Sequence, residues 1–339
     1  MNILITGGSG FIGTHLCKLL KSYGHTVFNL DVIKSETKVD EDFTINILDK
    51  NLLENIFKKH KIDKIIHSCA EVPITKSNNF FKVNLEGTKN ILDLFLKYKI
   101  NRFVYISSSA VYGVPQKVPV AEGDPRNPVE NYGKSKKLGE DECYNLISKG
   151  ANICIIRPRT VIGGNRLGIF SYLFDWISSG IDVPVLNNGE NIYQFVNLND
   201  FCEAVILSGS SEFVGDLNIG SSEYDTIKNN LENLILKVKI NSKIKNLNQS
   251  VLFKIANIMQ KLNLLPLQDY HFKAYGSPIY FDNSKSKKIL KWSTKFSDIQ
   301  SLKESYDFYL QNNKDNENTS LHKKKLKNII IKYSPKLII

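Results

Sequence analysis

Tyr132 and Lys136 stand four residues apart in the run Tyr132-Gly-Lys-Ser-Lys136. On a helix that spacing puts a phenol and an ammonium one turn apart on the same face. A neighbouring ammonium favours the phenolate and draws its pKa down from about 10 toward neutrality. Tyr132 would then act as a general base toward a substrate hydroxyl. The pattern alone is common and more often marks a surface helix. It gains weight from Ser107-Ser108-Ser109, which follow an apolar run read as a parallel strand. Ligands of α/β sheets gather at that carboxyl end, where a serine can hydrogen-bond the reacting oxygen.

A second constellation lies at the start of the chain. The strand-like Asn2–Thr6 runs into Gly8-x-Gly10-x-x-Gly13, after which Ile12, Leu16, Leu19 and Leu20 follow helical spacing. Strand, glycine turn and helix together form the context that a dinucleotide fingerprint requires. The glycines permit close backbone approach to a pyrophosphate, and the helix N-terminus presents free N–H groups. A phosphate loop of the NTPase kind would end in Lys-Ser/Thr, but Ile12-Gly13-Thr14 stands here. Asp31 closes the next strand, where a carboxylate can accept from both hydroxyls of an adenosine ribose and would repel a 2′-phosphate. NAD is therefore expected over NADP. Lys136 could hold the nicotinamide ribose.

These groups need a scaffold. Strands are expected at 2–6, 26–30, 63–67, 102–106 and 152–156, separated by helical patterns at about 49–60, 78–98 and 130–149. That alternation predicts an α/β fold: a Rossmann-type doubly wound parallel sheet. A smaller, discontinuous C-terminal substrate lobe should follow. The expected boundaries are 1–160 for the NAD-binding domain, with a segment returning near 195–220, and 161–311 mainly for the lobe. Residues 312–320 read as a polar linker and 321–339 as a basic amphipathic tail.

The chain has 339 residues, 42% of them hydrophobic and 23% charged, an ordinary globular composition. No apolar run reaches the length of a spanning helix, and no basic segment precedes a long apolar stretch, so the cell interior is expected. Five scattered cysteines suggest reduced thiols rather than a disulfide framework or a metal site. The net charge of +11 raises a nucleic-acid reading, but six of those charges are lysines in 321–339, where no acid stands. No nucleic-acid partner is expected. The tail's apolar stripe of Leu326, Ile329, Ile330 and Tyr333 suits peripheral contact with the inner face of a membrane, or packing on a partner subunit.

With these residues in view, the chain resembles the extended short-chain dehydrogenase/reductases of the sugar-nucleotide epimerase/dehydratase family, UDP-glucose 4-epimerase-like proteins among them. The carrying segments are Thr6–Gly13, Asp31, His67–Ala70, Asn84–Thr88, Ser107–Gly113, Tyr132-x-x-x-Lys136 and Arg157-Pro158, with weaker matches at Tyr280–Asp282 and Ile289–Trp292. The resemblance covers about 1–311. It assigns Gly7, Gly10 and Gly13, with Phe11 and Ile12 in the same turn, to the pyrophosphate. Asp31 falls on the adenosine ribose, and Asn46 and Ile47 near the adenine. Counting back from Tyr112, the catalytic serine falls on Ser108, with Ser109 as an alternate. Tyr132 is the implied base and Lys136 its partner. A homodimer, a nucleotide-sugar substrate and a place in polysaccharide biosynthesis are further implications.

The resemblance also implies the reaction: epimerisation through transient oxidation to a keto-sugar. Dehydratases and decarboxylases of the family place acids just after the catalytic serine or threonine, where Ser109 and Ala110 stand. One departure concerns the substrate. Such epimerases commonly clamp a diphosphate with arginines of the second lobe, whereas this chain has no arginine after Arg166 and carries Tyr193-Gln194 and His271-Phe272-Lys273 at the matching places. Arg159, Arg166, Thr160, Lys273 or backbone N–H groups remain as substrate contacts, and lysine lacks the bidentate fork of arginine. The rival readings are an NAD-dependent dehydrogenase or reductase of a sterol-like or lipid-linked alcohol, and a non-catalytic NAD-binding scaffold.

Overall fold

The computed structural model describes residues 1–73, 79–164, 170–247 and 276–316. Arg166, Lys273 and the basic tail lie outside them. In chain order the elements begin with β1 (Asn2–Thr6), α1 (Phe11–Ser22), β2 (Thr26–Asp31), β3 (Glu41–Thr44), α2 (Lys50–Lys59) and β4 (Lys64–His67). A π-helical turn (Lys82–Gly87) leads into α3 (Thr88–Lys97). Then come β5 (Arg102–Ile106), a 3₁₀ turn (Ser109–Tyr112), α4 (Asn131–Ile147) and β6 (Ile153–Pro158). Among the described residues there follow β7 (Thr160–Ile162), α5 (Phe170–Ser178), β8 (Val183–Leu186), a 3₁₀ turn (Asn187–Gly189), β9 (Phe195–Asn197), α6 (Leu198–Ser210), β10 (Gly215–Ile219), α7 (Ile227–Val238), β11 (Ile244–Leu247), α8 (Ser284–Leu290) and α9 (Asp298–Asn316).

Two compact units result. The first comprises Met1–Thr160, Leu198–Gly220 and Phe281–Ser293. Its seven-stranded sheet has the order β10-β6-β5-β4-β1-β2-β3, and every pairing is parallel. This is the doubly wound α/β architecture that the alternation predicts. The central strands are buried on both faces, which is why Ile3-Leu4-Ile5, Phe103–Ile106 and Ile153–Ile156 read as continuous apolar runs. Strand order reverses between β1 and β4, the switch point where such sheets open a crevice at their carboxyl ends.

Three details depart from expectation. Strand β3 was not predicted, because Glu41-Asp42-Phe43-Thr44 is a short, largely polar edge. The pattern at 78–98 is broken by the π turn before α3. Helix α9 runs to Asn316, so it takes in the first five residues of the segment read as a linker.

The described part of the second unit lies within Val161–Asn197, Ser221–Tyr280 and from Thr294 on. Strands β8 and β11 pair in parallel. Phe174 meets the rings of Tyr306 and Tyr309 edge-on or tilted, and Phe170 meets Phe195. Buried Asp298 opens α9 and accepts from the Phe195 N–H through both oxygens at 3.2 Å. Among the described residues no helix is long and apolar enough to cross a membrane.

His67 ends β4 and fixes the switch point. Its Nδ1 lies 2.7 Å from Thr6 Oγ1 and its Nε2 2.9 Å from Thr88 Oγ1. The Thr88 hydroxyl donates to Asn84 O, so Nε2 carries the ring proton and Nδ1 accepts from Thr6. Burial disfavours a second proton, with the Lys136 charge adding to the effect, and the ring's pKa falls to about 3. Between about pH 6.5 and 3 the unfolded chain binds a proton here that the folded chain refuses, so stability falls with pH across that window. In urea titrations from pH 6 to 4, His67→Gln should show an acid limb shallower than wild type by about 1.4 kcal/mol per pH unit. Parallel limbs would exclude a neutral buried His67.

Candidate active site

The glycine turn begins where β1 ends. Gly7 takes φ +72°, and a Cβ there would stand 2.7 Å from Cys69 Cα in the segment after β4. A Cβ at Gly13 would stand 2.1 Å from Gly7 O and 2.5 Å from Gly8 Cα. Only hydrogen fits at either place, so the first turn of α1 closes directly onto the end of β1. Gly10 is the N-cap of α1, with no side-chain cap on the helix's first N–H groups. Phe11 and Ile12 form the first turn, where the partial positive charge of the helix is greatest.

Asp31 ends β2 beside this turn. Its Oδ2 accepts from Ser9 N at 3.0 Å, and its Oδ1 accepts from Val32 N and Ile33 N. Ser9 in turn donates to Ile33 O and accepts from Asn29 Nδ2, which also reaches Asp42. Parallel pairing brings β3 alongside, and Ile45 N donates to Asp31 O. Asn46 and Ile47 follow directly. Asn46 is exposed, whereas Ile47 is buried and its carbonyl accepts from Asn90 on α3.

The serine run occupies the carboxyl end of β5. Ser107 is buried and donates to Glu140 Oε1 at 2.5 Å. Ser108 is half-buried and caps the 3₁₀ turn by accepting from Ala110 N at 3.1 Å. Ser109 accepts from Arg159 Nη1 at 3.1 Å, so two of the expected substrate residues meet directly. Thr160, half-buried, opens β7 immediately after Arg159.

Helix α4 carries the other candidate residues, Tyr132 and Lys136. Glu130 caps it, accepting from Tyr132 N at 2.7 Å and Gly133 N at 2.9 Å. Tyr132 is half-buried, with the Phe80 ring 6.4 Å away edge-on. Lys136 is 1% exposed, and its Nζ lies 4.3 Å from the centroid of the Tyr105 ring. Burial draws the ammonium's pKa down to about 8, against the pull of the surrounding thiols and Glu140. The helix is fixed to its surroundings from two sides. Asn84, in the π turn, donates to Ser135 Oγ and exchanges two hydrogen bonds with the Glu71 backbone. Glu140, two turns beyond Tyr132, meets Ser107, Arg126 and Arg157.

Glu140 and Asn84 anchor α4 although neither is among the site residues expected from the sequence. The three-to-four-residue rhythm Tyr132, Ser135, Lys136, Gly139, Glu140 could have shown that one polar face of α4 points inward. Arg157, of the Arg157-Pro158 motif, is wholly internal. Arg159 is the arginine beside the serines. Gln194, at one place where a diphosphate arginine was expected, is buried and donates to Ser221 O at 2.6 Å.

A family model described as the NAD dependent epimerase/dehydratase family matches residues 3–220. The chain belongs to that family. Among the relatives of this chain, an uncharacterized protein, y4nG, of Sinorhizobium fredii is 38% identical over 313 residues, covering 91% of this chain and 78% of that one. A putative UDP-glucose 4-epimerase of Methanocaldococcus jannaschii is 32% identical over 252 residues, covering 69% and 81%. A solved UDP-glucose-4-epimerase from Stenotrophomonas maltophila, with bound NAD and formylated UDP-arabinopyranose, superposes with TM-score 0.76 at 18% identity, covering 93% and 99%. That likeness is one of fold.

NAD is the cofactor of an epimerase/dehydratase of this family. The residues present suit it: the side-chain-free turn, the uncapped N-terminus of α1 and the strand-end carboxylate of Asp31 fit a pyrophosphate and a ribose diol. Gly13→Ala should therefore weaken NAD binding by about tenfold or more, because a Cβ forces the turn away from the helix. Isothermal titration would measure this, and unchanged affinity would show that the turn does not take the dinucleotide.

Proposed function

We propose that the protein is an NAD-dependent epimerase of a nucleotide sugar. The observation that carries this reading is the pair of residues after Ser108: Ser109, engaged by Arg159, and the buried Ala110. Elimination of water needs an acid for the leaving hydroxyl as well as a base for the adjacent carbon. Inversion of one carbon needs a single group that removes and returns one hydroxyl proton. Tyr132 supplies that group, and the two residues that follow Ser108, Ser109 and Ala110, carry no carboxylate, which favours inversion over dehydration or decarboxylation. The name of the Methanocaldococcus relative agrees.

Gly7, Gly10, Phe11, Ile12 and Gly13 hold the pyrophosphate in this reading, Asp31 the adenosine ribose, and Asn46 and Ile47 flank the adenine. When bound, NAD supplies a reversible hydride acceptor. Tyr132 takes the proton of the sugar hydroxyl, and the Lys136 ammonium, one turn along α4, stabilises the phenolate. Ser108 hydrogen-bonds the same oxygen and holds it as it becomes a ketone. Inversion follows when hydrogen returns to the opposite face of that carbon and Tyr132 gives the proton back. Arg159, Ser109 and Thr160 contact the substrate.

One observation favours a second reading, a net dehydrogenase of an alcohol without a diphosphate. Gln194 is buried and donates to Ser221 O, and the chain has no arginine after Arg166. Incubation with a panel of uridine and thymidine diphosphate sugars separates the two. Formation of the epimer, followed by NMR without a rise in absorbance from NADH, is expected. Stoichiometric NADH would instead establish a dehydrogenase. Tyr132→Phe should lower turnover by roughly 10²–10⁴-fold while NAD affinity stays close to wild type. Full activity in that variant would remove Tyr132 from the chemistry.

A further inference from the structure

Glu140 lies outside every group assigned above to substrate or cofactor, yet it joins the two elements that carry the proposed chemistry. It sits on α4, eight residues after Tyr132 and four after Lys136, and is fully buried. Its Oε1 accepts from Ser107 Oγ at 2.5 Å and from Arg157 Nε at 2.8 Å. Its Oε2 accepts from Arg157 Nη2 at 2.8 Å and from Arg126 Nη1 at 2.9 Å. Ser107 is the residue next to Ser108. Its backbone N–H is held by Ile156 O at 2.7 Å, and its side chain reaches toward α4.

We propose that Glu140 is a positioning residue, which through its hydrogen bond from Ser107 sets the place of Ser108 at the end of β5 relative to Tyr132 and Lys136 on α4. The inference rests on the roles proposed for Ser108 and Tyr132. The geometry distinguishes this bond from general packing. Arg157 and Arg126 neutralise the carboxylate and fix it in the core, whereas Ser107 adds no charge and ends at the serine run. The hydroxyl–carboxylate bond is short and charge-assisted, the strongest type available to a serine. A shift of about 1 Å between proton acceptor and hydrogen-bond donor costs on the order of 10²-fold in rate. This bond thus ties the serine run itself to the anchored carboxylate, whereas the other β5–α4 hydrogen bond, from the Tyr105 hydroxyl to Lys136 O at 3.4 Å, lies further back along the strand.

Ser107→Ala removes the bond and keeps both ion pairs, while Ser107→Thr keeps the hydroxyl. With the nucleotide sugar that the wild type turns over, Ser107→Ala should lose about 10²-fold in kcat. KM should stay within about twofold, and Ser107→Thr should recover most of the loss. Amide hydrogen exchange gives a readout independent of turnover. Residues 107–112 should exchange about tenfold faster in Ser107→Ala than in wild type, with α1 and β1 unchanged. Glu140→Gln, where it folds, should show the same local acceleration. Wild-type kcat and exchange in Ser107→Ala would overturn the proposal. So would a loss confined to KM, no rescue by threonine, or acceleration spread evenly over the chain. If the wild type turns over no nucleotide sugar, the epimerase reading fails by itself, and the exchange measurement still decides the role of Glu140.

Discussion

The Arg157 guanidinium is the charge around which the first unit is assembled. It is fully buried, and burial works against its charge, but the Glu140 and Asp216 carboxylates and the Tyr112 hydroxyl hold it firmly protonated. Its donors reach Glu140 on α4, Asp216 on β10, Tyr112 in the 3₁₀ turn, Tyr144 on α4 and the Glu122 carbonyl in the loop before α4. A lone buried charge costs several kcal/mol, and only a complete set of partners offsets it. The pair therefore carries weight as a specification more than as a source of stability: no arrangement of these elements that misses one partner is tolerable. The rings close the same region, with the Arg157 guanidinium over Tyr112 and the Arg126 guanidinium over Tyr144.

What the sequence made legible follows from range. The glycine turn, Asp31 and the Tyr–Lys spacing are local patterns, and local backbone rules decide them. The sheet was equally readable, since strands covered on both faces must be apolar throughout. Arg157's partners were not readable. They come from 13 to 59 residues away, and the helical rhythm that puts Glu140 on the inward face of α4 does not say what it meets there. Strand β3 escaped for the opposite reason: an edge strand needs little apolar character, so its four residues look like loop. The return of Phe281–Ser293 to the first unit could not be read from a pattern either. Its link there is the backbone of Asp282 donating to Val120, with Asn283 donating to Gly220 O.

The site shows the same division. Glycines, serines, tyrosine and lysine announced themselves by type and spacing. The residues that hold them, Asn84, Glu130 and Glu140, are polar side chains whose purpose appears only when their partners are known. A carboxylate that caps α4 and a carboxylate that anchors its middle look alike in a linear chain. Both are needed before two residues one turn apart become a defined pair of groups.

The chain crosses between the two units after Thr160, Asn197, Gly220, Tyr280 and Ser293. Neither unit is one uninterrupted stretch, so neither can be cut out or exchanged as a cassette with a single pair of junctions. Recombination between relatives would have to preserve five splice points at once. New specificity in such a protein is consequently reached by point substitution and by changes within loops. The interleaving also means that synthesis of the first unit is finished only when Ser293 has emerged, long after its glycine turn and its tyrosine have been made.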